Sequence, residues 1–514
     1  MNESSRTKNV ARNVTISLVC QALNMLIQFV GRTIFIMMLG KVYLGISGLF
    51  TNILTMLSFA ELGIGNAMIF SMYKPLANQD TEKLKSIMLL YRKAYTIIGS
   101  VVLGAGLCVI PFLGQMIGDV PDIPENIYLI YILYLVNSAS SYFFVYKKSI
   151  IIADQRQYVV NIYQELTTLI QVIAQSVILL LTKNFILFLV IQICCTLLNN
   201  IWTAHKANKM YPFLKEKSTE LPKEEKKTIF SNVKSLALYK FGSAILNGTD
   251  NIIISYMFSV IFVGMVSNYV MITNMFTTVL SKVTNSFTAS IGNLNTEDNP
   301  GKQYFVFKKL FFLTVWIFGF VSFGMLLFFN DVIELWLGDE YVLSFLTVIS
   351  LVISFYVSSV QFATYTFRTT LGLFRQGRFA PLIAAVLNIG ASILLADLIG
   401  LSGIFFATAI SRFFVITLVD VVLIYRFCFK RNPLEYYGFY FGYIFLIAAL
   451  YFITKPILGL VPLEGVFGLI VRVVIATVLF NGTFLMIFGR TRMFREIWDS
   501  FVGLFRKKKL RSAK

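Results

Sequence analysis

Histidine is nearly missing from this chain. His205 is the single one in 514 residues, so histidine chemistry has no second partner to work with. The five cysteines, Cys20, Cys108, Cys194, Cys195 and Cys428, show no metal-ligand spacing, which excludes a Cys/His zinc site. All five lie in or beside apolar runs, so buried free thiols are expected rather than disulfides. No Gly-x-x-x-x-Gly-Lys-Ser/Thr segment occurs, so the chain has no phosphate loop and no ATPase of its own. Charge is also scarce: 14% of residues are charged, against about 25% in a soluble domain.

What fills the chain instead is apolar. Hydrophobic residues make up 57%, phenylalanine alone contributes 49, and the mean hydropathy is +0.73. Apolar runs near the ~20 residues of a spanning helix recur down its whole length. They predict an all-α polytopic membrane protein with about fourteen transmembrane helices. The expected spans are 14–37, 42–70, 90–114, 126–146, 158–182, 184–204, 236–259, 261–291, 307–329, 341–367, 379–399, 401–425, 438–459 and 465–488.

Charge gives sidedness. With both termini inside, 37 of the 45 basic residues fall in tails or loops on one face of the membrane, and the opposite loops hold Lys41, Lys183 and Lys455 among several acids. The net charge of +19 is then largely a topology signal. A nucleic-acid partner is excluded, because its footprint would gather these charges on one folded surface. The outer loops are short, which argues against a membrane enzyme.

Polar residues add an internal repeat. The first span carries Gln21, Asn24, Gln28 and Arg32, and positions 219 residues later hold Lys240, Ser243, Asn247 and Asn251. Steps of three, four and four place each set on one helix face. The same register pairs Asn13-Val14 with Asn232-Val233, and Tyr43-Leu44-Gly45 with Phe262-Val263-Gly264. Lipid cannot satisfy a polar stripe, so two equivalent stripes are expected to wall one cavity. The organisation that follows is an N-lobe at 1–204, a polar cytoplasmic linker at 205–235, and a C-lobe at 236–428. The two six-helix lobes form a parallel repeat. Two extra helices at 429–488 and a basic tail at 489–514 complete the chain. In the tail, Phe494, Ile497, Trp498, Phe501 and Phe505 recur at helical spacing beside Arg506-Lys507-Lys508-Lys509. That pattern suits a helix on an anionic leaflet as well as it suits simple retention of charge inside.

An ionisable group within a span costs about 2.5–3.5 kcal/mol on insertion scales, so each one is a candidate. Arg32, Lys240, Lys282 and Arg412 are candidate cavity cations. The Arg32 fork fits a phosphate or diphosphate, while Asn, Gln and Ser fit sugar hydroxyls. Glu61, Asp250 and Asp420 are candidates for coupling or gating. Glu61 and Lys282 could meet as an interlobe gate or stand as separate structural charges. Asp250 could bind a cation or proton, or pair with a base. Arg412 could face the cavity or pair with Asp420 two turns on. Arg472 is expected to reach out to the headgroups. No cofactor is expected; coupling to Na+ or H+ stays open.

The stretch Gly31-Arg32, Leu39-Gly40, Tyr43-Leu44-Gly45-Ile46-Ser47-Gly48-Leu49-Phe50 runs on into Leu57-Ser58-Phe59-Ala60-Glu61-Leu62-Gly63-Ile64-Gly65 and Tyr73-Lys74-Pro75-Leu76-Ala77. It resembles the Wzx-type oligosaccharide flippases of the polysaccharide transport family. That family belongs to the superfamily that also holds multidrug and toxin extrusion exporters and the lipid II flippase. The resemblance implies two six-helix lobes in a V that alternate between inward and outward openings. It implies a polyprenyl-diphosphate-linked oligosaccharide as cargo and a bacterial plasma membrane as location. Polysaccharide polymerase and glycosyltransferases of the same pathway become expected partners, beside membrane lipid. Two other transport readings compete: a lipid II-type precursor flippase and a cation-coupled multidrug antiporter. The antiporter needs an acidic, aromatic-lined cavity, whereas the first lobe's stripe bears an arginine and no carboxylate.

Overall fold

The computed structural model describes residues 3–61, 64–117, 121–216, 218–285, 291, 294, 299–371, 373, 376–463 and 465–498. Described residues are helical almost throughout, and twelve helices are long and apolar enough to cross a membrane. The protein is a multi-pass, all-α membrane protein. The sequence predicts fourteen spans, and the difference has two sources. First, Val19–Leu57 counts as one apolar helix of 39 residues, about twice what a bilayer core needs. The element it belongs to, α1 (Glu3–Leu57), breaks at Gly40, where φ is 79° and ψ is −172°. Only glycine adopts that conformation without strain, so this element is two helices that meet at a kink, and the kink falls between the expected first span, 14–37, and the expected second, 42–70. Second, α9 (Lys223–Met257) carries the polar repeat of the stripe, which dilutes its hydropathy.

Between these come α2 (Ile64–Ala77), α3 (Thr81–Val109), α4 (Leu113–Ile117), α5 (Ile127–Ser140), α6 (Lys148–Ala153), α7 (Gln157–Thr182) and α8 (Phe185–Met210). After α9 follow α10 (Val260–Asn285), α11 (Pro300–Leu337), α12 (Phe345–Val360), α13 (Phe362–Thr370), α14 (Ala380–Ile399) and α15 (Leu401–Ser411). A π-helical turn, Arg412–Thr417, leads into α16 (Leu418–Ile424), and a second, Tyr425–Phe429, precedes α17 (Leu434–Gly459) and α18 (Gly465–Phe488). Short polar side chains start these helices as N-caps. Asp80 accepts from Lys83 N at 2.9 Å, Asn184 from Leu187 N at 2.9 Å and Asn299 from Lys302 N at 3.0 Å, each satisfying a donor that a helix end leaves open.

The chain divides into two compact units, Met1–Ser267 and Asn268–Lys514, with the boundary inside α10. In the first unit, Tyr91, Tyr95, Tyr142, Met68 and Met72 are buried together. In the second, a dense aromatic core forms around Phe307, Phe311, Phe312, Tyr425, Tyr436, Phe480 and Phe484. Three of the five cysteines are buried as expected, but Cys108 and Cys194 are exposed on the outer faces of their helices. Arg472 does not simply reach outward: it pairs with Asp331 at 3.5 Å.

Inside the first unit, α9 and the start of α10 pack on α1 and obey the 219-residue register. A Cβ at Gly45 would strike the backbone oxygen of Val260, and one at Gly264 would strike that of Lys41. Those are the same contact seen from both sides, since residue 260 is the repeat of 41 and 264 the repeat of 45. Arg32 donates to Ser267 Oγ. In the mirrored position, the Asn251 amide lies 3.9 Å from where a Gly48 Cβ would stand. Reciprocal pairs of this kind mark a local two-fold relation. Gly45→Val should therefore force the two helices apart. We expect a loss of about 1–3 kcal/mol, read as a lower melting temperature in detergent, while Gly438→Val, with open space around it, should leave melting unchanged.

The linker is not a loose tether. Tyr211 donates to Asp154 Oδ2 at 2.7 Å, Lys85 reaches Glu216 at 3.0 Å, and Lys83 reaches Glu225 at 2.9 Å. Glu220 is held by Lys93 and Lys226, whose hydrogen bonds pull its carboxyl down to about 2. Leu221 is buried against the same core. Alternating Lys and Glu, which read in sequence as a solvated connection, are here a strap along the polar end of α3.

Candidate functional site

The α1 stripe makes contacts in two directions: Asn24 reaches α7 and Arg32 reaches Ser267 on α10, and none of its four residues lines the cavity that α7 and α8 help wall. Gln28 Nε2 donates to Asn24 Oδ1 at 2.6 Å, and Asn24 Nδ2 donates to Glu165 Oε2 at 3.0 Å. Gln21 is half-buried on the same face. Glu165, on α7, sets a carboxylate beside a stripe that itself carries none. It escapes a reading of the stripe because it sits on another helix, yet a signal exists. Asn161, Gln164, Thr168, Gln171 and Gln175 recur in steps of three and four through an otherwise apolar run, which gives α7 a polar face of its own.

That face helps wall a cavity of about 300 Å³. Gln164, Thr167, Thr168 and Gln171 come from α7, and Thr196, Asn199 and Asn200 from α8. Across from them, Glu61 ends a short 3₁₀ helix, Ser58–Glu61, and Tyr95 comes from α3. The remaining wall is an interruption. The expected continuous span 126–146 breaks after Ser140. Phe144 takes a left-handed conformation, with φ of 64°, and helix resumes at Lys148. Irregular backbone at such depth is tolerated where it lines a cavity, and this break delivers Tyr142 and Lys148 to the wall.

The wall is held by hydrogen bonds. Tyr95 donates to Glu61 Oε1 at 2.6 Å, and behind it Ser149 donates to the Tyr91 hydroxyl at 3.0 Å. Gly65 leaves room for both tyrosines, whose hydroxyls would stand 3.2 and 3.3 Å from any Cβ there. Asn200 donates to the carbonyls of Ser140 and Ser141, and Thr196 to Asn137 Oδ1. These bonds satisfy the backbone at the helix break. Asn199 Oδ1, by contrast, is buried without a hydrogen-bond partner. Glu61 and Lys148 are the only charged groups among the described residues of the wall, so the cavity is neutral overall. It presents amides, hydroxyls and two tyrosine rings.

The other candidates divide. Glu61 meets Tyr95 in its own unit, while the Lys282 side chain lies outside the described residues, as do those of Lys240 and Asn247. Ser243, Asp250 and Asn251 are half-buried on α9. Asp420 does not pair with Arg412. It meets Arg368 at 3.0 Å, with both side chains buried to 1% exposure or less. Arg412 is half-buried at the head of the first π-helical turn. Each π turn inserts an extra residue, and the two together flank Asp420 and set the face it presents to α13. Among the described residues, no cluster of three metal-ligating side chains exists.

No protein-family model and no curated protein matches the sequence. Solved structures do match by shape. The lipid II flippase MurJ, in an inward closed conformation, aligns with a TM-score of 0.64 at 13% identity, over 94% of this chain and all of that one. An inward-facing multidrug resistance transporter of the MATE family aligns with a TM-score of 0.63 at 14% identity, over 79% of this chain and 96% of that one. A MOP-superfamily transporter from Pyrococcus furiosus, described as having a binding pocket of reversed polarity, aligns with a TM-score of 0.53 at 13% identity, over 81% of this chain and 94% of that one. At these identities the likeness is one of architecture: this chain has the fold of the MOP-superfamily transporters.

Proposed function

We propose that the protein is a flippase. Its cargo would be a polyprenyl-diphosphate-linked oligosaccharide, carried from the cytoplasmic to the outer leaflet of a bacterial plasma membrane for capsule, O-antigen or exopolysaccharide assembly. The observation that carries this reading is the neutral cavity of amides, hydroxyls and tyrosines, with Lys148 balancing Glu61. A glycan offers such a wall both donors and acceptors. The always-charged Arg32 fork supplies the group a diphosphate needs, and Ser267 holds it in place. Breadth of the match adds support. Alignment to the lipid II flippase reaches 94% of the chain against 79% for the MATE transporter, a gain comparable in size to the C-terminal segment with α17 and α18. The headgroup would move by alternating access, driven by differential contacts in two states, while the polyprenyl tail stays in lipid. Polymerase and glycosyltransferases would receive and supply the cargo.

Glu165 favours a second element, coupling to Na+ or H+. Its carboxylate, bonded to Asn24, gives the first unit an acid beside the stripe, and Glu61 gives it another. The same acids keep a cation-coupled multidrug antiporter, or a lipid II-type precursor flippase, as the readings to defeat. Proteoliposomes loaded with a labelled polyprenyl-diphosphate oligosaccharide, and in parallel with a cationic dye, separate them. We expect glycolipid translocation without dye efflux, and loss of translocation in Arg32→Ala at normal expression and melting. Dye efflux without glycolipid movement would overturn the proposal.

A further inference from the structure

Residues 492–498 form a short helix just beyond α18, which ends at Phe488. Thr491 opens it, its hydroxyl accepting from Phe494 N at 3.3 Å. The helix is docked. Phe494 is buried, its ring 5.6 Å from that of Trp316 on α11. Glu496 accepts from Lys309 at 3.0 Å and from Arg492 at 3.0 Å. Met493 and Ile497 pack on the same core. With Phe494 and Glu496 turned inward, the other face is fixed outward: Arg492, Arg495 and Trp498 are exposed, with Arg490 just before them.

Depth settles what this face meets. A segment that starts within three residues of the end of a spanning helix sits at headgroup level. Exposed Trp beside Arg is the composition of that layer. The sequence then adds Arg506, Lys507, Lys508, Lys509, Arg511 and Lys514 against the single acid Asp499. We infer that Arg490, Arg492, Arg495 and Trp498 form a docked binding surface for anionic phospholipid headgroups, held on the second unit by Phe494 and Glu496. This goes beyond retention of positive charge on one side, because the cations are presented by a fixed helix face and not by a free tail.

The full chain in nanodiscs tests it. Brominated phosphatidylglycerol and brominated phosphatidylcholine are compared, at equal mole fraction, as quenchers of Trp498 fluorescence. The Trp498 signal is isolated by subtracting the Trp498→Phe variant. We expect phosphatidylglycerol to quench at least threefold more. Replacing Arg490, Arg492 and Arg495 by Gln should remove most of that preference, whereas replacing them by Lys should keep it. Equal quenching by the two lipids, or a preference untouched by the Gln variant, overturns the inference. Loss in the Lys variant as well would show a structural role for the arginines and overturn it equally. Lys309→Met, which removes the ion pair tying Glu496 to α11, should reduce the preference by loosening the helix; a preference retained there would assign it to the basic residues beyond the helix and overturn the inference.

Discussion

Asp420→Ala should destabilise the second unit by about 3–5 kcal/mol, the usual cost of breaking a buried pair from one side. The carboxylate and the Arg368 guanidinium are 3.0 Å apart and essentially inaccessible. Gly377 lies against Arg368, whose Nη1 would stand 2.7 Å from any Cβ at that position. An arginine so enclosed cannot turn to water when its partner is removed. The measurement is thermal melting in detergent, with monodispersity as a second readout. The double variant Arg368→Met/Asp420→Leu should recover most of the loss, because two apolar groups of similar size leave no unpaired charge. It should also keep transport. An inactive but fully stable double variant would return Asp420 to the coupling candidates; an unchanged melt in Asp420→Ala would remove the pair from the stability account.

The contrast between Asp420 and Glu61 shows what a sequence can and cannot announce. Both are legible as costly intramembrane acids. Neither partner is, because Arg368 and Tyr95 lie 52 and 34 residues away on other helices. Periodicity reports which face of a helix is polar, and it does so for Gln21, Asn24, Gln28 and Arg32. It does not report the facing helix, so the spacing of Asn161, Gln164, Thr168, Gln171 and Gln175 marks a polar face on α7 without tying it, or Glu165, to Asn24 on α1. The 219-residue register is more informative than any single motif. Spacing alone ties Gly45 to Gly264, and the two glycines meet across α1 and α10. Backbone breaks are the least legible feature. Gly40 is a visible cue, but Phe144 in a left-handed conformation is not something its side chain foretells. The linker misleads for a different reason: mixed charge reads as solvated until the lysines of α3 are seen opposite Glu216, Glu220 and Glu225.

Lys148 carries the last expectation, and the largest effect on activity. If the neutral cavity receives the glycan headgroup, Lys148→Met removes its one cation and leaves Glu61 to repel an anionic cargo. A charged hydrogen bond contributes about 1.5–3 kcal/mol, so translocation should fall roughly ten- to hundredfold. Melting should hardly move, because Lys148 has no close ion-pair partner among the described residues. Glu61→Gln keeps an acceptor for Tyr95 and leaves the cavity positive. It should therefore bind a soluble diphosphate-sugar probe more tightly than the wild type does, while translocation slows because release is harder. The double variant restores neutrality, and its binding should return toward the wild-type value. That reversal distinguishes a charge-balanced site from two independent residues: if the two substitutions simply add, Lys148 and Glu61 do not share one ligand, and the cavity is not where the headgroup is held.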